Sequence, residues 1–466
     1  MNPPVTALIE RFRELLGASG VLTGEDVSSR MIHAWRQRPI SAACIVRPST
    51  TEEVAAVLKC CNDAGQTVVP HGGLTGLVQG CNVDAADVVL SLERLNRIEE
   101  VDAVGRTMTV QAGVPLEKLQ QEAEKAGLMF PIDLGARGSC QIGGNVSTNA
   151  GGNRVIRFGM TRENVLGLEA VLADGTVVTS LNKMIKNNAG YDLKHLFIGS
   201  EGTLGVVTRV VIRLRELAQG QQTAFVACDD FAQVAGFLRH IDRSMGGALC
   251  SFEVMWKDYY ELVTTAPATN ARPVSMEGHE HFVLCEALGT GHPQDGERFE
   301  SVMMEALEQG LVADAVIAKS ETERRAMWRI RDSVDQFFRY GPAFLYDVSL
   351  AIRDMDAYVK EVKRRLRAAY PDHHCFTLGH IGDGNIHFTV AVGSGELEHH
   401  RRVNACIYEP LQPIGGSISA EHGIGTEKLD YLPLSRSATE IALMRRLKAA
   451  LDPKGILNPG KVFPVA

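Results

Sequence analysis

Apolar positions along the chain recur at helical spacing in some stretches and alternate at strand spacing in others. In MNPPVTALIERFRELLG they fall every three or four residues among mixed charges, which predicts an amphipathic helix at the N-terminus. Residues 49–65, STTEEVAAVLKCCNDAG, predict a second helix, with Thr50 and Glu53 forming a capping box and Gly65 ending it. TVVP, DVVLSLERL and RTMTVQAG predict strands, and PLEKLQQEAEKAG predicts a helix opened by Pro115 and closed by Gly127. NVLGLEAVLADGTVVTS reads as a hairpin turning at Asp174 and Gly175, and GTLGVVTRVVIRL alternates as a strand. Helices and hairpins mix without a regular βαβ rhythm, so this half is α+β.

The pattern changes after Leu217. TAFVAC, a helix near 230–245, LCSFEVM, HFVLCEAL, a helix near 296–309 and VADAVIA spell β-α-β-β-α-β, a ferredoxin-like order. Helices near 321–338 and 354–369 lead into LGHIGDGNIHFTV, residues 378–390, and ATEIALMRRLKAALDPKGILNPGKVF closes the chain as a helix and a proline-broken tail. This organisation predicts domains at 1–216 and 217–424, with residues 425–466 returning to the first.

LGHIGDGNIHFTV carries the first candidate chemistry. Asp383 and Gly384 are the residues of a two-residue hairpin turn, which would set Ile381 against Ile386 and His380 opposite His387, with Cβ atoms roughly 5 Å apart. Strand alternation then sends both imidazoles and Asn385 to one face and the two isoleucines to the other. Two convergent imidazoles make a metal site that needs further ligands, or else a pair of exposed or core histidines.

Forty-five glycines change the picture because they cluster. PHGGLTG (70–76), GSCQIGGNVSTNAGGNRVIRFG (138–159) and IGSEGTLG (198–205) hold backbone N–H groups in concave turns without steric bulk, which suits a diphosphate. None is a G-x-G-x-x-G at a strand-to-helix turn, so a nicotinamide-binding Rossmann domain is not supported. GILNPGKV nearly spells a P-loop, but Val462 stands where Ser or Thr is required and no helix follows, so it reads as a tail.

Composition narrows the class. Apolar residues make up 45% of 466 and charged ones 22%, as in a globular protein of two or three domains. A net charge of -8 without a basic stretch argues against a nucleic-acid partner, and no apolar run reaches membrane-spanning length. Ten cysteines without paired spacing fit a reducing compartment, and the N-terminal stretch lacks the apolar core of a signal peptide, so the expected location is the cytoplasm.

The three glycine loops, in this order, resemble the FAD-binding domain of the vanillyl-alcohol oxidase and p-cresol methylhydroxylase type. FPIDLGARGSCQIGGNVSTNAGGNRVIRFG, NNAGYDLKHLFIGSEGTLGVVT, GHIGDGNIHF, SAEHGIG and LDPKGILNPGK are similar to the branch containing D-2-hydroxyglutarate and D-lactate dehydrogenases, from about residue 40 to the end. The resemblance implies a two-part FAD-binding domain with a ferredoxin-like cap domain. It implies cofactor contacts at Pro70, His71, Gly72, Gly73, Leu74, Thr75 and Gly76, at Gly138, Ser139, Gly143, Gly144, Asn145, Thr148, Asn149, Gly151 and Gly152, and at Glu201, Gly202, Val206 and Asn458. Some relatives attach flavin to a histidine after the paired glycines. Leu74 at that place implies FAD held without a covalent bond.

In SAEHGIG the resemblance makes Glu421 the third ligand, with His380 and His387, of a divalent metal, zinc before manganese or iron, and makes His422 the catalytic base. It gives Arg331 the substrate carboxylate and sets Asn385 beside the reacting groups. The expected reaction is oxidation of a D-2-hydroxy acid to the 2-oxo acid, with the C2 hydride passing to flavin N5. Electrons would leave to an electron-transfer flavoprotein or a quinone, and the protein would be a homodimer. Members selective for the five-carbon diacid carry threonine and lysine where this chain has Asp335 and Leu345, which shifts the expectation toward D-lactate or a longer aliphatic acid. The competing readings are a metal-free flavin oxidase of aromatic alcohols and a non-catalytic flavin subunit of a larger oxidoreductase.

Overall fold

Thr50 accepts a hydrogen bond from the Glu53 N–H at 3.2 Å, and the Glu53 carboxylate reaches back to the Ser49 N–H at 2.6 Å. The helix Thr51–Ala64 therefore starts where the sequence predicts and stops at left-handed Gly65. The computed structural model describes residues 5–32 and 37–464. Residues 1–4 of the predicted N-terminal helix lie outside that range; the rest, Val5–Leu16, is helical and buries Leu8, Phe12 and Leu16.

The chain divides into two compact units, one of residues 1–152, 159–217 and 421–466, the other of 153–158 and 218–420. In the first unit, Cys44–Val46, Val88–Ser91 and Val68–His71 are parallel neighbours, and the two-residue strand Val21–Leu22 closes that sheet antiparallel. These strands are apolar on both faces, as a sheet covered on both sides requires. A second, antiparallel sheet runs in the order Val177–Ser180, Val165–Val171, Val206–Arg213, Thr107–Gln111 and Ile98–Asp102, its outer hairpin turning at Gly175 as predicted. One core joins both sheets to the helices Thr51–Ala64 and Leu116–Lys125. The tail comes back to the first sheet: Val68 N–H donates to Ile456 O and Asn458 N–H to Val68 O, both at 2.8 Å.

In the second unit all seven strands pair antiparallel, in the order Asp314–Ile317, Gly220–Cys228, His281–Gly289, Leu249–Trp256, His374–His380, Asn385–Ala391 and Ala343–Ser349. The first four are the ferredoxin-like set. Elements that went unpredicted include the helix Lys257–Thr264 inside that motif, the edge strand Ala343–Ser349 and the helix Leu397–Tyr408. The helix expected at 321–338 ends at Asp332 and continues as a tighter 3-10 turn, Val334–Tyr340.

Two expectations are corrected. Residues 153–158, read as part of the second glycine loop, belong to the second unit, where Arg157 donates to Ala248 O at 3.2 Å and Leu288 O at 3.0 Å and Ser251 Oγ donates to Asn153 O at 2.7 Å. Residues 421–424, placed at the end of the cap domain, belong to the first unit, held there by hydrogen bonds described below.

Candidate active site

Backbone shapes the wall of the cavity in the first unit. A Cβ on Gly73 would lie 2.1 Å from Ser139 O and 2.8 Å from Cys140 Cα, so the first glycine loop can lie on the second only because that side chain is absent. A Cβ on Gly143 would lie 2.7 Å from Ala112 Cβ and 3.0 Å from Ala112 O, whereas Gly144 and Gly76 have nothing within 4 Å of that position. One pair of glycines thus permits close packing and the other leaves space. The cavity is lined by Pro70, Gly72, Gly73, Leu74, Thr75 and Gly76, by Gly143, Gly144, Asn145 and Thr148, and by Glu201, Gly202, His422 and Asn458. Three buried side-chain oxygens on this wall, Gln141 Oε1, Asn145 Oδ1 and Asn458 Oδ1, have no hydrogen-bond partner in the protein. Buried amide oxygens without partners, beside a wall stripped of side chains, fit a large polar group such as FAD.

Seven expected cofactor residues do not line it. His71 is buried with Nε2 2.9 Å from Cys81 O, and Val206 is buried in its strand. Asn149 ends a helix in the left-handed region and accepts the Arg162 N–H at 2.9 Å. A Cβ on Gly152 would lie 2.0 Å from Asp133 O, so this glycine serves packing; Gly138 and Ser139 are exposed and Gly151 is buried, and none of the three lines the cavity. The sequence reading missed Val78, Gly80, Cys81, Leu92, Cys140, Gln141 and Ser147. Cys140, Gln141 and Ser147 lie inside the second glycine stretch and Gly80 four residues past the first, whereas Val78, Cys81 and Leu92 carried no compositional signal. The tail set aside as a failed P-loop supplies Asn458, whose Nδ2 donates to Glu201 O at 2.7 Å and Gly80 O at 3.2 Å.

His422 reaches this wall through Glu201. The Glu201 carboxylate accepts the Ile424 N–H at 2.7 Å and the Gly425 N–H at 2.8 Å, drawing the loop around itself. Burial pushes this carboxyl up, and the two N–H donors and Lys428 pull against it. A Cβ on Gly423 would lie 2.8 Å from Glu201 Oε1, and one on Gly425 would lie 1.9 Å from Val78 O, which accounts for the glycines flanking the histidine. Glu421 Oε1 accepts the Gly152 N–H at 3.1 Å.

In the second unit the predicted two-residue hairpin does not form. Leu378 pairs with His387, so the register is two residues from the expected one, and Ile381–Asp383 makes a 3-10 turn before Gly384 at φ 90°. A Cβ on Gly379 would meet Asn385 O at 2.3 Å, so the strands close there instead of at the tip. A two-residue slip preserves strand parity, and the two imidazoles still converge, with ring centroids 5.2 Å apart. Asn385 is buried, and neither atom of its amide has a protein partner.

Glu253, absent from the sequence reading, stands across the ladder from His380. Its Oε1 lies 2.7 Å from His380 Nδ1, and its Oε2 accepts Arg331 Nε at 2.8 Å. Arg331 Nη2 lies 3.0 Å from His380 Nε2. Burial pushes Glu253 up, but His380 and Arg331 together hold it below the usual carboxylate range. Burial opposes the charge on Arg331, and Glu253 and Asp332 raise its pKa regardless. Two imidazoles, one backed by a carboxylate, are donors suited to a divalent cation. Among the described residues, no group of three or more His, Cys, Asp and Glu is arranged to hold one.

Two family models match the chain. Residues 42–180 match the family model described as "FAD binding domain", and residues 217–462 match "FAD linked oxidases, C-terminal domain". The chain is 41% identical over 441 residues to D-2-hydroxyglutarate dehydrogenase of Xanthomonas citri pv. viticola, covering 92% of this chain and 90% of that one. It is 37% identical over 469 residues to the probable mitochondrial D-2-hydroxyglutarate dehydrogenase of Oryza sativa subsp. indica, covering 99% and 83%. The crystal structure of p-cresol methylhydroxylase with substrate bound shares the fold at a TM-score of 0.75 with 17% identity, over 99% of this chain and 97% of that one.

Proposed function

The chain belongs to the family of FAD-linked oxidases, and from that premise we propose that it is an FAD-dependent dehydrogenase of a D-2-hydroxy acid. The observation that carries the reading is His422 on the wall of the glycine-built cavity. FAD, when bound, accepts the hydride that leaves C2. His422 takes the hydroxyl proton, and the permanently charged Arg331 receives the α-carboxylate. A divalent cation, zinc before manganese or iron, would be held by His380, His387 and Glu421 and would lower the pKa of the substrate hydroxyl. The resemblance in sequence and the convergence of the two imidazoles support that part.

Leu74 in place of a histidine supports FAD held without a covalent bond. Leu345 supports D-lactate or a longer aliphatic acid over the five-carbon diacid. Ten cysteines, all unpaired, support a reducing compartment such as the cytoplasm. Transfer of electrons to an electron-transfer flavoprotein or a quinone, and a homodimeric state, rest on the resemblance alone.

The test is anaerobic bleaching of the flavin in purified protein by a panel of D- and L-2-hydroxy acids. Bleaching by D acids alone, lost after chelation and restored by zinc, is the expected result. Bleaching by an aromatic alcohol that survives chelation would replace this reading with the metal-free oxidase.

A further inference from the structure

The strand His374–His380 ends at the histidine pair and begins on the wall of a separate cavity in the same unit. At about 3.3 Å per residue its two ends are roughly 20 Å apart, so this cavity lies away from the candidate active site. It measures about 630 Å³ and is lined by the end of the helix Lys257–Thr264, by Arg339 and Tyr340, by Lys363 and Arg367 of the helix Met355–Ala369, and by His373 to Phe376. Its cations have donors to spare. Arg339 donates through Nη1 to Leu262 O at 3.2 Å and through Nη2 to Ala266 O at 3.3 Å, which leaves three of the five N–H groups of a guanidinium. Arg367 makes no hydrogen bond or ion pair with any described residue. Lys363 Nζ donates to Asp258 Oδ2 at 2.5 Å and the Thr377 N–H donates to Asp258 Oδ1 at 2.9 Å, so that carboxylate is occupied on both oxygens. His373 Nδ1 lies 2.7 Å from Tyr370 O, which only accepts, so Nδ1 carries the proton and Nε2 stays open.

We propose that this cavity binds a small organic molecule by its phosphate group. Arg339, Arg367 and His373 bring donors from three separate stretches of chain, which suits the three acceptor oxygens of a phosphate better than a planar carboxylate that one guanidinium fork satisfies. A bare phosphate fills a small part of such a volume, and Leu262, Tyr340 and Phe376 give the remainder of the molecule an apolar wall. Tyr340 is held in that wall by its stack on His374, with ring centroids 3.8 Å apart. Burial pushes the His373 pKa down against the Tyr370 hydrogen bond, and Arg367, His374 and Lys363 push it the same way as burial. Arg339 adds to these positive charges, while Asp258 and Glu261 are the carboxylates on the cavity wall. A bound dianion reverses that balance, so the ring takes a proton on Nε2 and becomes a third donor.

Titration calorimetry of the full-length, FAD-loaded protein tests this with three probes: glycerol 3-phosphate, sulfate as the bare tetrahedral dianion, and malonate as a dicarboxylate. Saturable binding of glycerol 3-phosphate is expected, tighter than that of either other probe. Arg367 and Glu261 are exposed, so their variants should keep the melting temperature and flavin content of wild type. Arg367→Gln should weaken glycerol 3-phosphate by about tenfold, the loss of one charge-assisted bond. Glu261→Gln should tighten it by about threefold, because an unpaired carboxylate is removed from the cavity wall. Sulfate, whose own charge does not change over this range, should bind several-fold tighter at pH 6 than at pH 8, a gain that His373→Asn reduces. No saturable binding of glycerol 3-phosphate would overturn the proposal, as would malonate binding more tightly. Equal weakening by Arg367→Gln and by Arg445→Gln, an exposed arginine of the other unit, would reduce the effect to general surface charge and overturn it too. Binding lost in Arg331→Lys and kept in Arg367→Gln would put the anion in the candidate active site instead. None of these readings needs turnover, so they stand or fall apart from the dehydrogenase reading.

Discussion

The cavity of the first unit and the charged triangle of the second solve opposite problems. The cavity is made by omission: glycines let two loops touch at Gly73 and leave room at Gly144, and the polar wall is largely amide. The triangle is made by addition, with three ionisable side chains from residues 253, 331 and 380 meeting beside the buried strand Leu249–Trp256. A site made by omission fails when atoms are added, and one made of paired charges fails when a charge or a partner is lost. The same contrast governs what a sequence discloses. Clustered glycines are visible as text, whereas a triangle spread over more than a hundred positions is not.

The strongest challenge to this contrast is Gly73→Ala. The new Cβ would stand 2.1 Å from one backbone atom and 2.8 Å from another, neither of which can swing aside. We expect a loss above about 4 kcal/mol, seen as protein purified without flavin and with a melting temperature many degrees lower. Gly144→Ala, with open space at the same atom, should melt as wild type while binding FAD more weakly. Equal behaviour of the two variants would refute the division of labour between these glycines.

Acid should act on the second unit through His281. Its ring is buried against Trp256 and Phe231, neither ring nitrogen has a partner, and burial pushes its pKa from 6.5 down to about 4. Between those values the unfolded chain binds more protons than the folded one. Stability therefore falls as pH drops through 6.5, and the loss levels off near pH 4. The expected total is on the order of 3 kcal/mol. His281→Phe should flatten that limb in urea unfolding midpoints measured from pH 7 to 4, and a slope identical to wild type would show that the ring is not held neutral.

Glu201→Gln probes a place where the cavity depends on a carboxylate. The amide can accept one of the two N–H groups of Ile424 and Gly425 and presents a donor to the other. A cost of about 1–3 kcal/mol to the loop is expected, with kcat down roughly tenfold as His422 loses its placement and FAD content nearly unchanged. Loss of FAD with kcat per bound flavin intact would mean that Glu201 serves the cofactor and not the loop.

Much of this molecule was legible because its signals are local. Glycine spacing located most of the cavity wall, and alternation placed His380 and His387 on one face despite a wrong register, since a slip of two residues keeps parity. Residues 153–158 were misplaced because their hydrogen-bond partners lie near 250 and 288. Val78, Leu92 and Gln141 were missed because nothing in their types announces a cavity. Glu253 was within reach: a lone acid inside the predicted strand LCSFEVM is an anomaly among apolar and small residues, and a buried charge requires partners.

The smallest expected effect concerns specificity. Leu345 is half-buried, pairs with Thr389 in the edge ladder and packs against the aromatic cluster that includes Phe337 and Phe376. It lies two residues before Asp347, the direct partner of His387, so it shares the face of the sheet that carries the histidines. An apolar side chain there offers a second carboxylate no counter-charge. Leu345→Lys keeps the aliphatic stem against the cluster and can send its ammonium outward. We expect kcat/KM for D-2-hydroxyglutarate relative to D-lactate to rise about tenfold, worth about 1.4 kcal/mol, with melting temperature little changed. A ratio that stays put, in a variant that folds and binds FAD, would take Leu345 out of the substrate pocket and leave the choice of acid to other residues.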